Sequence, residues 1–368
     1  MQGRQVLTGG IAGLAIAALT AGVALAGPAG AQTAASSPGA ARTSWHVRTV
    51  APLSSRAANI VVSPARHAAF ELIAAHRGGE GPFRLRRISL TGGAAKSGRQ
   101  FPVSQLSVAG GAVWVTGSVI RGQSGRAVLY QVSPATLTVV RSWRLTGWKK
   151  PVPGTSPVTG GARGTVWAAY GQHLRRISPR TGATLNRIRL SSRLFLSDTA
   201  ADPSGQHLYV SAGTRQGGAV VREYAGGSGQ VLARQAGGNL KYSAGGAFLT
   251  AVPGGVWPSF RTGMKGETIL LRQAGLVEVA LPSGGDQLYS WDQWASTVYG
   301  GGSLWLSQAF TGKTACIAPA TGRVRSSAKL RQLNNGGTVL GVSSAARVVY
   351  AAGRAGLVAV SAPRTCWR

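Results

Sequence analysis

A bulky aromatic residue returns seven times along the chain in one local setting, with small or apolar residues on either side. It is Phe70 in HAAFELIAA, Trp114 in GGAVWVTGS, Trp167 in GTVWAAYG and Tyr209 in GQHLYVSAG. It returns as Trp257 in GGVWPSF, Trp305 in GGSLWLSQ and Tyr350 in ARVVYAAG. The steps between them are 44, 53, 42, 48, 48 and 45 residues. A sustained period in this range marks a repeat architecture, whose units are too thin to bury their own faces and are stable only against neighbours.

The rest of each unit recurs as well. A short apolar segment, such as IVVS from Ile60 or LSVAG from Leu106, is followed by a tight turn and then by the aromatic strand. The turns read DPSG at Asp202, VPGG at Val252 and YGGG at Tyr299. Behind the aromatic comes a hairpin pattern: LYQVSPATLTVVRSWRL from Leu129, LRRISPRTGATLNRIRL from Leu174 and ACIAPATGRVRSSAKL from Ala315. Apolar alternation around Ser, Pro, Thr and Gly is the signature of two strands and a turn. A unit therefore reads as four strands, a to d, with the aromatic on strand b. The fold class is all-β: a seven-bladed propeller of four-stranded antiparallel blades. The aromatics fill the space between blades as packing residues and do not form a ligand cage.

Seven blades must close into a ring, because an open end would expose strand edges. The last unit runs VLGVS, VVYAA, LVAVSAP and stops at RTCWR, its fourth strand missing or very short. SWHVRTVAPL, from Ser44 to Leu53, precedes the first unit and has no unit of its own. Strand Trp45–Val50 is therefore expected to supply the outer strand of the last blade. The two cysteines follow the same logic. Cys316 falls on strand c of blade 6 and Cys366 just beyond strand c of blade 7. In an exported chain an even count suggests a disulfide pinning the C-terminus, the alternative being two separate buried thiols.

The "GG-x-h-W" strand and the "SP-x-TG-x-h" hairpin, clearest in Gly164–Leu190 and Gly301–Leu330, resemble those of secreted bacterial seven-bladed propellers of the YVTN or NHL-like kind. The resemblance covers residues 45–368 and implies an architecture, since propellers host enzymes, binders and scaffolds. The Trp docking motif of quinoprotein propellers is not evident, and no cofactor is expected. Streptogramin lyases are also seven-bladed, but their His and Glu constellation for magnesium has no counterpart here.

The chain opens MQGRQVLTGGIAGLAIAALTAGVALAGPAGAQ. A basic residue, an apolar stretch and small-residue sites at Ala29-Gly30-Ala31 or Ala24-Leu25-Ala26 give residues 1–31 the layout of a secretory signal peptide. The alternative is a retained anchor over Val6–Gly27. Residues 32–44 read as a disordered linker and 45–368 as the propeller. With 40 basic and 9 acidic residues the net charge is +31, and losing residues 1–31 would remove only Arg4. Such a field attracts polyanions and acidic surfaces. The competing reading is compositional: Arg spread over strand faces for solubility.

In this fold the d–a and b–c connections share one face, and there the sequence is chemically richest. The candidate binding residues are Trp148, Lys149, Lys150, Lys241, Tyr242, Arg261, Lys265, Trp291, Trp294 and Lys313. Aromatic planes stack on sugars or bases, and Lys or Arg pairs with carboxylate or phosphate. The expected partner is an anionic glycan, a wall polymer or an acidic protein, with nucleic acid bound only non-specifically and the propeller itself a monomer outside the cell. The enzymatic alternative is a hydrolase or lyase using Asp292 or Glu267, since glycoside hydrolysis needs paired carboxylates. Asp198 is assigned to the same face. The five histidines are scattered, so no metal site is expected. His46 and His207 read as strand or turn residues, with His76 and His173 near b–c connections.

Overall fold

Seven four-stranded antiparallel sheets follow one another along the chain. They were obtained from a computed structural model that describes residues 44–76, 82–102, 105–121, 124–145, 158–170, 172–214, 218–236, 247–260, 270–272, 276–279, 295–308, 311–334 and 337–367. Blades 1 to 6 are formed by residues 57–101, 105–145, 158–189, 194–236, 247–279 and 295–334, each with its strands in chain order. Blade 7 differs. Its strands a, b and c are Thr338–Ser343, Val348–Gly353 and Gly356–Ser361, and its fourth strand is His46–Ala51 from the other end of the chain. His46 lies opposite Ser361 and Arg48 opposite Ala359. The closing strand thus lies one residue beyond the expected Trp45–Val50 at both ends.

The innermost strands touch those of both neighbouring blades all the way round, and Thr338–Ser343 of blade 7 meets Ala57–Ser63 of blade 1. No single central core exists. Seven apolar clusters each join two consecutive blades, the last linking blade 7 to blade 1. Trp114 packs on Val166 and Ala168 of blade 3. Trp167 packs on Leu196 and Leu208 of blade 4. Tyr209, Trp257 and Trp305 repeat the arrangement in turn. Six of the seven recurring aromatics are at most 1% exposed and Tyr350 is 7% exposed, so they are packing residues as expected.

The strand c residue opposite the aromatic lies in the same row. It is Gln131 beside Trp114, Arg176 beside Trp167 and Cys316 beside Trp305. These rows clamp the c–d turn of the following blade. Gln131 Nε2 and Arg141 donate to the Pro179 carbonyl at 3.0 and 2.7 Å. Trp167 Nε1 donates to the Gly226 carbonyl at 3.1 Å, and Arg176 to that of Gly227. Trp257 Nε1 donates to the Pro319 carbonyl at 3.1 Å.

Blade 7 has no c–d turn, because its strand d comes from elsewhere. At that place the 3-10 turn Arg364–Cys366 brings in Cys366, bonded to Cys316 with a Cα–Cα distance of 5.6 Å. Ser303 Oγ donates to the Cys366 carbonyl at 2.6 Å. Trp305 contacts Trp367 at 4.8 Å and Trp45 at 6.2 Å between ring centroids. Gly301, at φ +61°, leaves the space Trp367 fills; a Cβ there would stand 2.5 Å from that ring. The expected disulfide is present, and it takes the place of a missing turn.

The run SVIRGQSGR, Ser118–Arg126, extends the b–c hairpin of blade 2, and strands Ala112–Arg121 and Ser124–Val132 run into it. Ser118 pairs with Ala127 and Val119 with Arg126. Two adjacent β-branched residues, Val119 and Ile120, favour the pleated state over the turn suggested by the glycines.

Candidate functional site

Most of the face expected to bind lies outside the described residues. Trp148, Lys149, Lys150, Lys241, Tyr242, Arg261, Lys265, Trp291 and Trp294 all do, as do Asp292 and Glu267. Lys313 is described, and it is not in a loop. It is half-buried within strand c of blade 6, Thr311–Ile317, opposite Lys329. The glycine of the FTGKT run is accommodated inside the strand, with φ +67° at Gly312 and a register shift between Thr311 and Lys313.

Asp198 also departs from its assignment. It sits buried in the inner strand Leu194–Ala201 of blade 4. Its Oδ1 accepts the Thr199 N–H and its Oδ2 the Leu249 N–H of blade 5, both at 2.8 Å. A carboxylate so engaged braces two inner strands. Two further buried carboxylates were invisible in the sequence. Glu71 accepts the Ser54 N–H at 2.8 Å and Arg86 Nε at 2.7 Å. Burial raises its pKa, against the opposing pull of the Ser54 N–H and the Arg86 charge. Glu223 lies 2.7 Å from His207 Nδ1. Asp202 holds the a–b turn of blade 4, its Oδ1 accepting the His207 N–H at 2.8 Å. Among the described residues no group of three or more His, Cys, Asp or Glu is placed to hold a metal ion.

The unbalanced charge lies elsewhere. From residue 81 to residue 197 the chain contains no Asp or Glu, and this stretch spans all of blades 2 and 3. Blade 3 is the densest part. HLRRI forms strand c, His173–Ile177, and TLNRIR forms strand d, Thr184–Arg189. His173 pairs with Arg189 and Arg175 with Arg187. Directly opposed residues of an antiparallel pair share a face, so three guanidiniums and an imidazole lie on one side of this hairpin. That side looks toward blade 2, since Tyr170 and Ala168, the strand b residues in line with them, belong to the cluster between blades 2 and 3.

Arg175 is the centre of the group and is only 8% exposed. Its Cζ stands 5.6 Å from the Tyr170 ring centroid, and its Nη2 donates to the Tyr170 hydroxyl at 3.3 Å. Its buried Nε–H has no hydrogen-bond partner. His173 stacks on Tyr170 at 5.5 Å between centroids. Burial lowers the His173 pKa, and the charges of Arg189, Arg175 and Arg187 lower it further. Arg187 and Arg189 are exposed. Like charges facing one another across a hairpin are destabilising, and a buried guanidinium is costly unless paired. The Glu71–Arg86 ion pair and the Glu223–His207 contact both lie outside this group.

At the opposite end of the same interface, an open groove of about 540 Å³ runs between blades 2 and 3. Gly110, Gln131 and Pro134 line one side, and Arg163, Pro179 and Arg180 the other. The interface between blades 2 and 3 therefore presents cations at both ends. The signal for it in the sequence is the long acid-free run combined with arginines two apart on facing strands.

No protein-family model matches the chain, and no curated protein matches it. Several solved structures share its fold. BamB from Moraxella catarrhalis is similar with 14% identity over 80% of this chain and 81% of that one, at a TM-score of 0.51. The Pan2 WD40 domain of Neurospora crassa is similar with 10% identity, 84% and 89% coverage and a TM-score of 0.53. A chain of a mitotic checkpoint complex is similar with 11% identity, 80% and 83% coverage and a TM-score of 0.54. At these identities the likeness establishes the propeller fold alone.

Proposed function

We propose that this seven-bladed propeller is an exported binding and scaffold module that holds an anionic polymer or an acidic protein at the cell surface. The observation carrying this reading is the unneutralised charge of blades 2 and 3: a run without acids, with arginines exposed at both ends of one interface. A field of one sign draws in a partner of the other and holds it through many weak contacts. The fold suits such a role, since one similar propeller is a chain of a mitotic checkpoint complex. A buried disulfide fits an oxidising compartment, as does the signal-like layout of residues 1–31.

The test is retention of the purified chain on a phosphorylated polysaccharide matrix over a salt gradient. The logarithm of the affinity should fall linearly with the logarithm of salt concentration. Replacing Lys149, Lys150 and Lys265 together by Glu tests the loop-rich face, and Arg163→Glu with Arg180→Glu tests the groove. Elution unaffected by salt in the parent protein would overturn the reading.

A further inference from the structure

The cation group on blade 3 resembles half of a binding site. Arg175 is held rigidly by the Tyr170 ring and hydroxyl, yet its Nε–H is left over. Arg187 and Arg189 stand beside it on the neighbouring strand, exposed, with His173 completing the row. No carboxylate from blade 2 or blade 3 can answer these charges, because neither blade has one. Among the described residues no carboxylate pairs with this buried guanidinium.

We propose that Arg175, Arg187, Arg189 and His173 form a binding site for a phosphate group. This deepens the polyanion reading by assigning it a place and a ligand chemistry. A carboxylate has two oxygens, too few to satisfy three guanidinium forks and an imidazole. A phosphate offers three or more strong acceptor oxygens. Guanidinium donates to such oxygens through parallel N–H bonds, which a rigid, pre-placed Arg175 favours. Tyr170 positions Arg175 and flanks the ligand without carrying charge.

His173 provides a readout independent of any retention assay. The charges acting on it are Arg189, Arg175 and Arg187, all of which disfavour its protonation. An anion seated among them reverses that balance, so binding should move the imidazole titration upward. The experiment follows the His173 imidazole protons by NMR from pH 5 to 8, in chloride and in inorganic phosphate at matched ionic strength. A saturable upward displacement in phosphate, absent in acetate, is expected. Arg187→Gln combined with Arg189→Gln changes only exposed side chains and should weaken binding by roughly tenfold or more without lowering Tm. Arg175→Lys keeps the charge but loses the fork and should weaken it further still.

Dimethyl phosphate has only two unesterified oxygens and glycerol 3-phosphate has three, so the monoester should bind more tightly. Equal or tighter binding of the diester would overturn the three-oxygen argument. An imidazole titration identical in phosphate and chloride, or a double variant that binds like the parent, overturns the site. Matrix retention with a silent His173 removes the site and leaves the broader reading standing. A responsive His173 without retention keeps the site and removes the polymer.

Discussion

The interface between blades 2 and 3 and the joint between blades 6 and 7 solve one problem in two ways. In both, a strand b tryptophan and its strand c neighbour face the following blade. At the first, the neighbour is Gln131, and it holds the backbone turn at Pro179 through a hydrogen bond. At the second, the turn does not exist because the outer strand comes from the far end of the chain. There the neighbour is Cys316, bonded covalently to Cys366, with Trp45, Trp305 and Trp367 packed around it. The joint is covalent and packed with tryptophans, whereas the blade 2–3 interface is held by hydrogen bonds and carries cations that no carboxylate of either blade answers. Ring closure is a matter of stability, and the difference suggests that function sits away from it.

The largest effect should follow from breaking the joint. Cys316→Ala with Cys366→Ala releases a cross-link spanning 50 residues, a loss of about 4 kcal/mol from the loop-closure term. Chemical denaturation should show it directly, and a loss under about 1 kcal/mol would mean that the tryptophans alone close the ring. The equivalent change at the other interface, Gln131→Ala, should cost about 1 kcal/mol, because Arg141 still reaches the Pro179 carbonyl. The two losses should add when combined, since distant sites without shared partners are independent. Coupling between them would mean that strain is passed round the ring.

The smallest effect is on pH. The folded-state pKa of His173 is lowered, so the unfolded chain takes up that proton first as the pH falls. Below about 6.5 the unfolded state therefore binds more protons, and stability should fall through the window down to the lowered value. Above it the profile should be flat for this group. His173→Gln should remove that slope, measured by Tm in phosphate-free buffer, and phosphate should shrink it in the parent protein.

The same contrast explains what was legible in the sequence. The joint could be read because its parts are periodic or missing: an aromatic every 45 residues or so, a last unit without a fourth strand, and a leading segment without a unit. Cys316 and Cys366 follow from that count. The blade 3 cluster was hidden, because LRRI and NRIR read as ordinary solvent-facing alternation until the register set His173 against Arg189 and Arg175 against Arg187. Glu71 and Glu223 were hidden for the same reason, since an alternating pattern does not say which face is inside. Lys313 was misplaced because TGK reads as a turn, whereas a strand absorbs one glycine at a register shift.

Everything rests on the closing strand, and a cross-link tests it most directly. In a background lacking Cys316 and Cys366, Arg48→Cys and Ala359→Cys place thiols on directly paired residues of two strands. Oxidation should give a quantitative intramolecular disulfide, found by peptide mapping, while Arg48→Cys with Leu340→Cys, on the inner strand of the same blade, should give none. Failure of the first pair to link, or linkage only between separate molecules, would contradict a ring closed by its own N-terminal strand.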